Sequence, residues 1–257
     1  MKCMTRDTCE AGWLAGAQFL RDSDPREAHN LIIEIERPAA HSDADLQVRS
    51  EIDSFLRSHD ANPIFTVAET IFPAAVYREE GVAGVFKTYP DTIYPEIKQP
   101  HEWGRYAQRL LRRKGPDNKD FNPLEQTLDR LKAAASKHDV KRAVYELPLG
   151  DDAYDLQIAQ PTDKRTRGGP CLSHISLKFG RDGRLYLTAL YRYHYFVERA
   201  LGNYIGLAAL QAFLCEQAGI PMGPLVCVST YARLDEDAGW NGAEVDALID
   251  RCALHAM

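Results

Sequence analysis

The spacing of apolar residues along the chain predicts helices and strands that alternate from end to end. Apolar residues that recur every three or four positions are typical of amphipathic helices. We predict helices over residues 11–21, 44–58, 122–137, 200–218 and 243–255. Runs of apolar, β-branched and aromatic residues are typical of strands. We predict strands over residues 31–38, 141–149, 172–179, 184–196 and 225–234. This order predicts the α/β class, or an α+β three-layer architecture.

Turn-forming residues separate these elements. Residues 88–100 contain three prolines, so we predict a loop there, and a basic helix after Gly104. The polar stretch 150–168 predicts an exposed insertion. Asp182–Gly183 supplies a hairpin turn between two of the strands. The length suits one hydrophobic core, so we predict a single domain over residues 1–257.

Composition and charge narrow the classes of function. The net charge of −6 argues against broad nucleic-acid binding, although a few arginines can still hold a small anion. The chain has no apolar run of about 18 residues, which predicts no membrane span. Charged residues interrupt residues 1–30, so we predict no signal peptide. Six scattered cysteines without a Cys-x-x-Cys pair predict neither a zinc site nor a disulfide framework. We therefore expect a cytoplasmic protein.

Cys171 is the first candidate for chemistry. It follows Gly168–Pro170 and begins a predicted strand, shortly after a run of cations. These cations are Lys164, Arg165 and Arg167. Positive charge lowers the pKa of a thiol and increases the reactive thiolate, but a buried cysteine can equally be a small hydrophobic residue. His174 lies three positions on, where a strand side chain points to the opposite face. We therefore favour a structural role for His174 over a Cys-His pair.

Three further residues each have a structural and a functional interpretation. Arg192 lies among aromatic residues, where a guanidinium can stack on the surface or bind an anion. Asn203 lies at the start of an apolar helix, where it can cap the helix or bind a ligand. Glu69 is the one acid of a mostly apolar stretch, where it can be a helix-surface residue or a partnered carboxylate. Taken singly, Arg192 and Asn203 favour the structural interpretation, and both interpretations of Glu69 stay open.

The stretch from Gly168 to Gly223 combines these residues in one pattern, which resembles the centre of the thymidylate synthase family. Pro170–Cys171 matches the first pair of the family's Pro-Cys-His, and residues 182–185 match its Asp-Gly-Lys-Leu hairpin. Arg192 and Asn203 keep the family's eleven-residue separation. Gly223 then falls on the glycine that follows the family's apolar helix.

The resemblance extends upstream of this pattern and covers residues 60–235. The segment TVAETIFP resembles the family segment that supplies the catalytic glutamate, here Glu69. The pair Lys141 and Arg142 resembles two arginines that reach the phosphate site of the neighbouring subunit. Residues 1–60 form a divergent N-terminal part.

The resemblance implies a thymidylate synthase-like fold whose mixed β-sheet forms a homodimer interface. It implies one-carbon transfer, methylation or hydroxymethylation, to C5 of a pyrimidine nucleoside monophosphate through a covalent bond between Cys171 and C6. Asn203 would read the base edge, and Glu69 would organise water and proton transfer near O4. The phosphate would be held by Arg192, and by Lys141 and Arg142 from the neighbouring subunit. The one-carbon donor would be 5,10-methylenetetrahydrofolate.

Several positions depart from the family pattern. Leu172 replaces the His after the cysteine, and Trp103 replaces a Tyr, for which Tyr106 is a candidate substitute. Tyr193 and Tyr195 replace a Ser and the Asp that helps to hold folate. Folate binding, the sugar and the methyl or hydroxymethyl product therefore stay open. An asparagine at the base-reading position favours uracil, because cytosine-specific members carry Asp there. The alternative is a non-catalytic or repurposed nucleotide-binding protein with the same fold.

Overall fold

The computed structural model describes residues 1–98, 105–115, 117–137, 143–149, 170–234 and 239–256. The strands are β1 Lys2–Arg6, β2 Glu27–Ile35, β3 Arg113–Lys114, β4 Asp120–Phe121, β5 Glu146–Pro148, β6 Leu172–Phe179, β7 Leu185–Tyr191, β8 His194–Tyr195 and β9 Met222–Arg233. The α-helices are α1 Cys9–Arg21, α2 Asp43–Ser58, α3 Ile64–Glu69, α4 Ala74–Ala83, α5 Tyr94–Ile97, α6 Tyr106–Leu111, α7 Pro123–Lys137, α8 Leu201–Ala218 and α9 Gly242–His255. Two segments are π-helical, Gly84–Ile93 and Phe196–Ala200.

Seven of these strands form one mixed sheet. Its order is β1-β2-β9-β7-β6-β5, and β8 pairs with β9 beyond the end of β7. β2 runs parallel to β1, and both β7 and β8 run parallel to β9, whereas the other neighbours are antiparallel. A mixed sheet combined with helices is compatible with the predicted α+β architecture.

The sheet buries one face under helices. Along β7, alternate residues from Leu185 to Tyr191 are buried, and the residues between them are more exposed. Helix α1 lies against β2, where the backbone at Gly12 contacts the side chains of Ile33 and Ile35. Helix α8 is tied to the sheet because the Gln211 amide donates to the carbonyl oxygen of Leu185 at 2.8 Å. This period-two pattern is typical of a sheet that packs on a core with one face only.

Two glycines of α8 allow α3 to lie unusually close to it. A Cβ at Gly206 would be 2.7 Å from the carbonyl oxygen of Ala68, and a Cβ at Gly202 would be 2.6 Å from the Cβ of Val67. Such distances leave no room for a side chain. The close approach sets Glu69, the last residue of α3, beside the N-terminal half of α8.

The predicted loop over residues 88–100 is wrong for most of its length. The chain is π-helical over Gly84–Ile93 and continues as α5, with Pro90 inside the π-helical segment. In an α-helix a proline ring clashes with the carbonyl four residues earlier. The wider π-helix changes that hydrogen-bond spacing and accommodates the proline.

Two predicted strands also differ from the structure, and one strand was not predicted. The strand predicted over 184–196 breaks at Arg192–Tyr193, so that β7 and β8 are separate. The strand predicted over 141–149 is present as Glu146–Pro148, and β1 was not predicted at all. A short exposed edge strand such as β1 lacks the apolar run that marks a buried strand. The insertion predicted over 150–168 lies outside the described residues.

The contact between α3 and α8 makes a prediction about stability. Gly206→Ala should lower the free energy of unfolding by about 1–3 kcal/mol, because the added methyl group meets backbone atoms of α3. Alanine is the better helix former, so propensity alone predicts stabilisation by about 1 kcal/mol. The control is Ala209→Gly in the same helix at a partly exposed position, which should cost only about 1 kcal/mol. Chemical denaturation followed by circular dichroism measures both, and a more stable Gly206→Ala protein would contradict the close approach.

Candidate active site

Cys171 and Arg192 face each other where β6 and β7 meet. The two strands are antiparallel, and Leu172 pairs with Tyr191. Directly outside this pair, at the residue before β6 and the residue after β7, the backbone N–H of Arg192 donates to the carbonyl oxygen of Cys171 at 2.9 Å. The structure therefore brings together two of the residues singled out from the sequence. Cys171 is partly buried, and the Arg192 side chain is exposed.

Tyr106 holds the backbone at Cys171. Its hydroxyl oxygen accepts hydrogen bonds from the N–H of Cys171 at 2.9 Å and from the N–H of Leu172 at 3.1 Å. Burial raises the pKa of this phenol to about 12, so it stays protonated near neutral pH. Because Tyr106 is the first residue of α6, its position depends on that helix. The next residue, Ala107, donates its N–H to the carbonyl oxygen of Thr70 at 2.8 Å, directly after Glu69.

The charge environment of the Cys171 thiol contains two opposing effects. Burial raises its pKa, and the nearby guanidinium groups of Arg192 and Arg199 lower it. The net shift is upward, because the loss of hydration disfavours the thiolate more than the two cations favour it. The sequence analysis suggested that a run of cations before Cys171, from Lys164 to Arg167, increases the thiolate. These residues lie outside the described part of the chain.

Cys171 differs from the other cysteines in its exposure. All six are free thiols; Cys3 is exposed, Cys171 is partly buried, and the remaining four are buried. Desolvation raises the pKa of Cys227 and Cys252 strongly. Cys171 is therefore the thiol that combines access with nearby positive charge.

The chain turns from the sheet into α8 directly after Arg192. The hydroxyl of Thr230, on β9, donates to the carbonyl oxygens of Tyr191 and Arg192 at 3.1 and 3.0 Å. After β8 the π-helical turn Phe196–Ala200 leads into α8, and the indole N–H of Trp13 donates to the carbonyl oxygen of Phe196 at 2.9 Å. This turn carries Arg199 to the thiol.

Asn203 lies inside the helical segment, so its interpretation as a helix cap is wrong. α8 begins at Leu201, directly after the π-helical turn, and has no side-chain cap. The Asn203 side chain is buried, and its amide nitrogen is 3.0 Å from Nε2 of His194. Nδ1 of His194 is in turn 2.8 Å from the Ser229 hydroxyl. His194 stacks on Tyr191 with parallel rings 4.2 Å apart, which links Asn203 to the strand end beside Cys171.

Glu69 is a half-buried carboxylate at the end of α3. Its Oε1 accepts a hydrogen bond from the N–H of Ala75 at 3.0 Å, in the first turn of α4. Burial raises the pKa of this carboxyl, and the backbone N–H groups and the cations of Arg78 and Arg105 partly offset the rise. Glu69 is thus a partnered carboxylate that favours protonation more than an exposed glutamate does. It is connected to the thiol through α6, which carries Tyr106.

Two further residues expected at the site, Lys141 and Arg142, lie outside the described residues. His174, for which we favour a structural role, bonds to Glu146, with Nε2 and Oε2 2.7 Å apart, in a network on the sheet that includes Ser176. Sequence reasoning missed His194 and Arg199, because the contact of each depends on the turn between β7 and α8.

Among the residues that the structure describes, no helix is long and apolar enough to cross a bilayer. The same residues bring no three His, Cys, Asp or Glu side chains together in a way that could hold a metal ion.

Comparison with known proteins finds distant relatives. No family model matches the chain. The chain is 24% identical over 216 residues to a protein named "Putative thymidylate synthase" from Methanothermobacter thermautotrophicus, which covers 84% of this chain and 81% of that protein. Proteins of the same name from Methanosarcina barkeri and Methanosarcina mazei are 28% and 27% identical, over 56% and 54% of this chain and 69% and 55% of their own lengths. These distant relatives support a thymidylate synthase-like family, without indicating a particular member.

The two arginines beside the thiol make a prediction about its reactivity. Arg192→Gln should raise the pKa of Cys171, because a cation that favours the thiolate is removed. A rise of about one unit, typical of losing one close opposite charge, slows alkylation near neutral pH about tenfold. Peptide-level mass spectrometry of iodoacetamide labelling across a pH series measures this rate at Cys171 alone. Arg181→Gln, at the distant hairpin, is the matched control and should leave the pH profile unchanged; an equal change in both variants would contradict the electrostatic cause.

Proposed function

We propose that the chain is a thymidylate synthase-like enzyme that transfers a one-carbon unit to C5 of a pyrimidine nucleoside monophosphate. The observation that carries the proposal is the position of the Cys171 thiol, beside the guanidinium groups of Arg192 and Arg199 at the end of two paired strands. The names of the distant relatives support the same reaction class.

Cys171 is the proposed nucleophile. Its sulfur adds to C6 of the pyrimidine, the C5–C6 double bond opens, and the electron pair moves through C5 to the oxygen at C4. C5 would then attack the electrophilic carbon of the one-carbon donor and lose its proton. The bond between that carbon and the donor's nitrogen would break, and the exocyclic methylene group left on C5 would take up a hydride from the donor, which gives a methyl group, or water, which gives a hydroxymethyl group. Elimination of the thiolate then restores the double bond. Because burial raises the pKa of the thiol, its proton has to leave as the sulfur bonds to C6.

The phosphate is proposed to bind at the exposed guanidinium of Arg192. A planar guanidinium suits a phosphate because it can donate two parallel hydrogen bonds. Lys141 and Arg142 of a second subunit complete this site in the proposal. With the phosphate held beside Cys171, the ring can lie over the sulfur with C6 within reach.

Asn203 and Glu69 are proposed to act on the base. The Asn203 amide donates to O4 and accepts from N3–H. Glu69, whose pKa burial raises, exchanges a proton or orders a water near O4 as charge develops there. The close packing of α3 on α8 places these two residues on neighbouring helices.

The one-carbon donor is proposed to be 5,10-methylenetetrahydrofolate. At the position where the resemblance puts a folate-holding aspartate, the chain has Tyr195, whose ring lies 4.7 Å from that of Tyr193. A phenol pair offers an aromatic surface instead of a carboxylate acceptor. The aspartate contact with folate is thus absent from these positions.

A homodimer is proposed to form through the open face of the sheet. Ile32, Val228 and Leu190 lie side by side on β2, β9 and β7, each at a partly exposed or exposed position. Glu34, Val226 and Thr188 form the next row on the same face. A sheet face with such an apolar row is typical of one that packs against another layer.

The open face makes a prediction about assembly. Leu190→Glu should weaken the dimer by at least about tenfold, because it places a charge in an apolar interface. Leu254→Glu, at a side chain that is 72% exposed on α9, is the matched control and should leave assembly unchanged. Sedimentation velocity across a concentration series measures both. A wild-type protein that sediments as a monomer at all concentrations would contradict the proposed interface.

A second candidate function is nucleotide binding without catalysis. The upward shift in the pKa of Cys171 favours it, because a protonated thiol is a weak nucleophile. The tyrosines at the folate-binding positions also favour it. Both functions use the same phosphate site and differ in whether the thiol reacts.

Release of tritium from C5 distinguishes the two functions. The protein is incubated with dUMP or dCMP labelled with tritium at C5, with and without 5,10-methylenetetrahydrofolate. The enzyme should release tritium, Cys171→Ala should reduce release to background, and Cys3→Ala should behave as the wild type because Cys3 is remote and exposed. Nucleotide binding by calorimetry without any release would support the binding protein instead. Release that persists in Cys171→Ala would overturn the proposed nucleophile.

A further inference from the structure

A cavity lies at the carboxyl ends of the parallel strands β1 and β2, in the part of the chain that the family resemblance does not cover. The chain leaves β1 into α1 and leaves β2 into α2, so both helices begin at this end of the sheet. The two exits stay paired, because the N–H of Arg37 donates to the carbonyl oxygen of Asp7 at 2.9 Å. In open α/β sheets, ligands bind in the crevice outside the carboxyl ends of the strands. The cavity therefore lies where a ligand site is expected.

The size and lining of the cavity suit a small organic molecule. Its volume is about 430 Å³, within the range of about 300–1,000 Å³ that small-molecule sites occupy. Part of the lining is apolar and includes Leu14 and Val48. The polar part includes three carboxyl groups, those of Asp7, Glu10 and Asp45. An apolar lining with a few polar groups is typical of sites that bind small organic ligands.

Two of the three carboxyl groups have partners within the fold. Asp45 accepts from the Thr8 hydroxyl at 2.8 Å through Oδ1, and from the N–H and hydroxyl of Ser42 at 2.7 and 2.8 Å through Oδ2. Oδ2 of Asp7 is 2.6 Å from Nη2 of Arg37, in an exposed ion pair. The bonds of Asp45 join the start of α1 to the start of α2, so this carboxylate has a structural role.

Glu10 is the exception among the three. It lines the cavity and is 1% exposed. Its Oε1 accepts a hydrogen bond from Nε of Arg49, whereas Oε2 is buried and has no hydrogen-bond partner among the residues that the structure describes. Burial raises the pKa of this carboxyl, and Arg49 offsets the rise only in part. A buried polar atom without a partner costs about 1–3 kcal/mol, so a ligand that donates a hydrogen bond to Oε2 is favoured.

We propose that this cavity binds a small aliphatic amine as its ammonium ion, with an N–H group of the ligand donating to Oε2 of Glu10 and its alkyl chain packed against Leu14 and Val48. With His41 neutral, the three carboxylates exceed the two guanidinium groups that pair with them, Arg37 and Arg49, by one negative charge. A monovalent cation neutralises that excess, and its charge favours the ionised form of the Glu10 carboxyl. The amine site is independent of the reaction proposed at Cys171.

Other classes of ligand match the cavity less well. An anion would be repelled by carboxylates that outnumber the nearby guanidinium groups. A neutral alcohol can donate to Oε2 but leaves the excess negative charge in place. For a metal ion, the described residues bring together no three His, Cys, Asp or Glu side chains that could hold it. An alkylammonium ion supplies the donor, the positive charge and an apolar chain together.

The test compares three probes of equal chain length and different charge. The full chain is titrated with n-butylammonium chloride, n-butanol and sodium butyrate, and amide chemical shifts are followed by ¹H–¹⁵N NMR. Butylammonium should shift the amides of residues 8–11 and 42–45 and bind at least about tenfold more tightly than n-butanol, because a charge-assisted hydrogen bond is the stronger one. Butyrate should cause no saturable shift there. Equal affinity for butylammonium and n-butanol, or no saturable shift with butylammonium, would overturn the proposal.

Three variants connect the binding to Glu10 and to the cavity. Glu10→Gln keeps the shape but removes the charge, and should weaken butylammonium binding at least about tenfold. Glu51→Gln is the matched control, because Glu51 is also paired with an arginine, Arg251 at 2.8 Å, but does not line the cavity; it should bind as the wild type does. Ala11→Leu leaves Glu10 in place, fills the cavity and should abolish binding.

The variants also define the outcomes that contradict the amine site. A folded Glu10→Gln protein that keeps the wild-type affinity, or a folded Ala11→Leu protein that still binds, would overturn it. Thermal unfolding identifies a variant that does not fold, and the other variant then decides. Release of tritium from a C5-labelled nucleotide should be the same in Glu10→Gln as in the wild type, so the amine site and the proposed reaction succeed or fail separately.

Discussion

The site depends on the segment that joins the end of β7 at Tyr191 to the start of α8 at Leu201, through β8 and the π-helical turn. Arg192, His194, Arg199 and Asn203 all lie on or beside it. This segment is held from both sides: the Thr230 hydroxyl binds the carbonyl groups at its start, and the Trp13 indole binds the carbonyl of Phe196 in the middle. A π-helical turn is rare because its hydrogen bonds have an unusual spacing. The hydrogen bond from Trp13 to the carbonyl group of Phe196 offsets part of the cost of this conformation. Hydrogen bonds to the backbone of this segment therefore fix where its side chains lie.

Two physical effects on the pKa of the Cys171 thiol oppose each other. Burial can shift the pKa of an ionisable group by about 3–5 units, and a close opposite charge shifts it back by about 1–3. Here burial dominates in the free protein. An anionic phosphate bound at Arg192 would neutralise one of the two favourable cations and hold the thiol in its protonated form more strongly. In the proposed reaction, deprotonation of the thiol is therefore coupled to the attack on C6, because burial disfavours a free thiolate.

Much of the site could be predicted because its spacing along the chain is local. Pro170–Cys171, the Asp182–Gly183 turn and the separation of Arg192 from Asn203 are all visible in one stretch, and the structure does bring Cys171 and Arg192 together. The contacts that could not be predicted join residues far apart in sequence. Tyr106 binds the backbone 65 residues later, and His194 bonds to Ser229 35 residues later. The π-helical segments were missed for a different reason: prolines and aromatic residues in 84–93 match the propensities of a loop, and only tertiary packing selects the helix.

The divergent N-terminal part supports the site although it contributes none of the proposed catalytic groups. Its helix α1 supplies the Trp13 indole and also the surface on which the Phe196 ring lies, since a Cβ at Gly16 would be 2.3 Å from that ring. These two contacts require only an indole donor at Trp13 and a residue without a side chain at Gly16. The rest of residues 1–60 has to keep α1 on the sheet, and its buried side chains belong to the hydrophobic core. The N-terminal part acts on a backbone carbonyl group and an aromatic ring and not on the proposed reacting groups. Its sequence can therefore diverge while residues 192–203 keep the spacing that resembles the family.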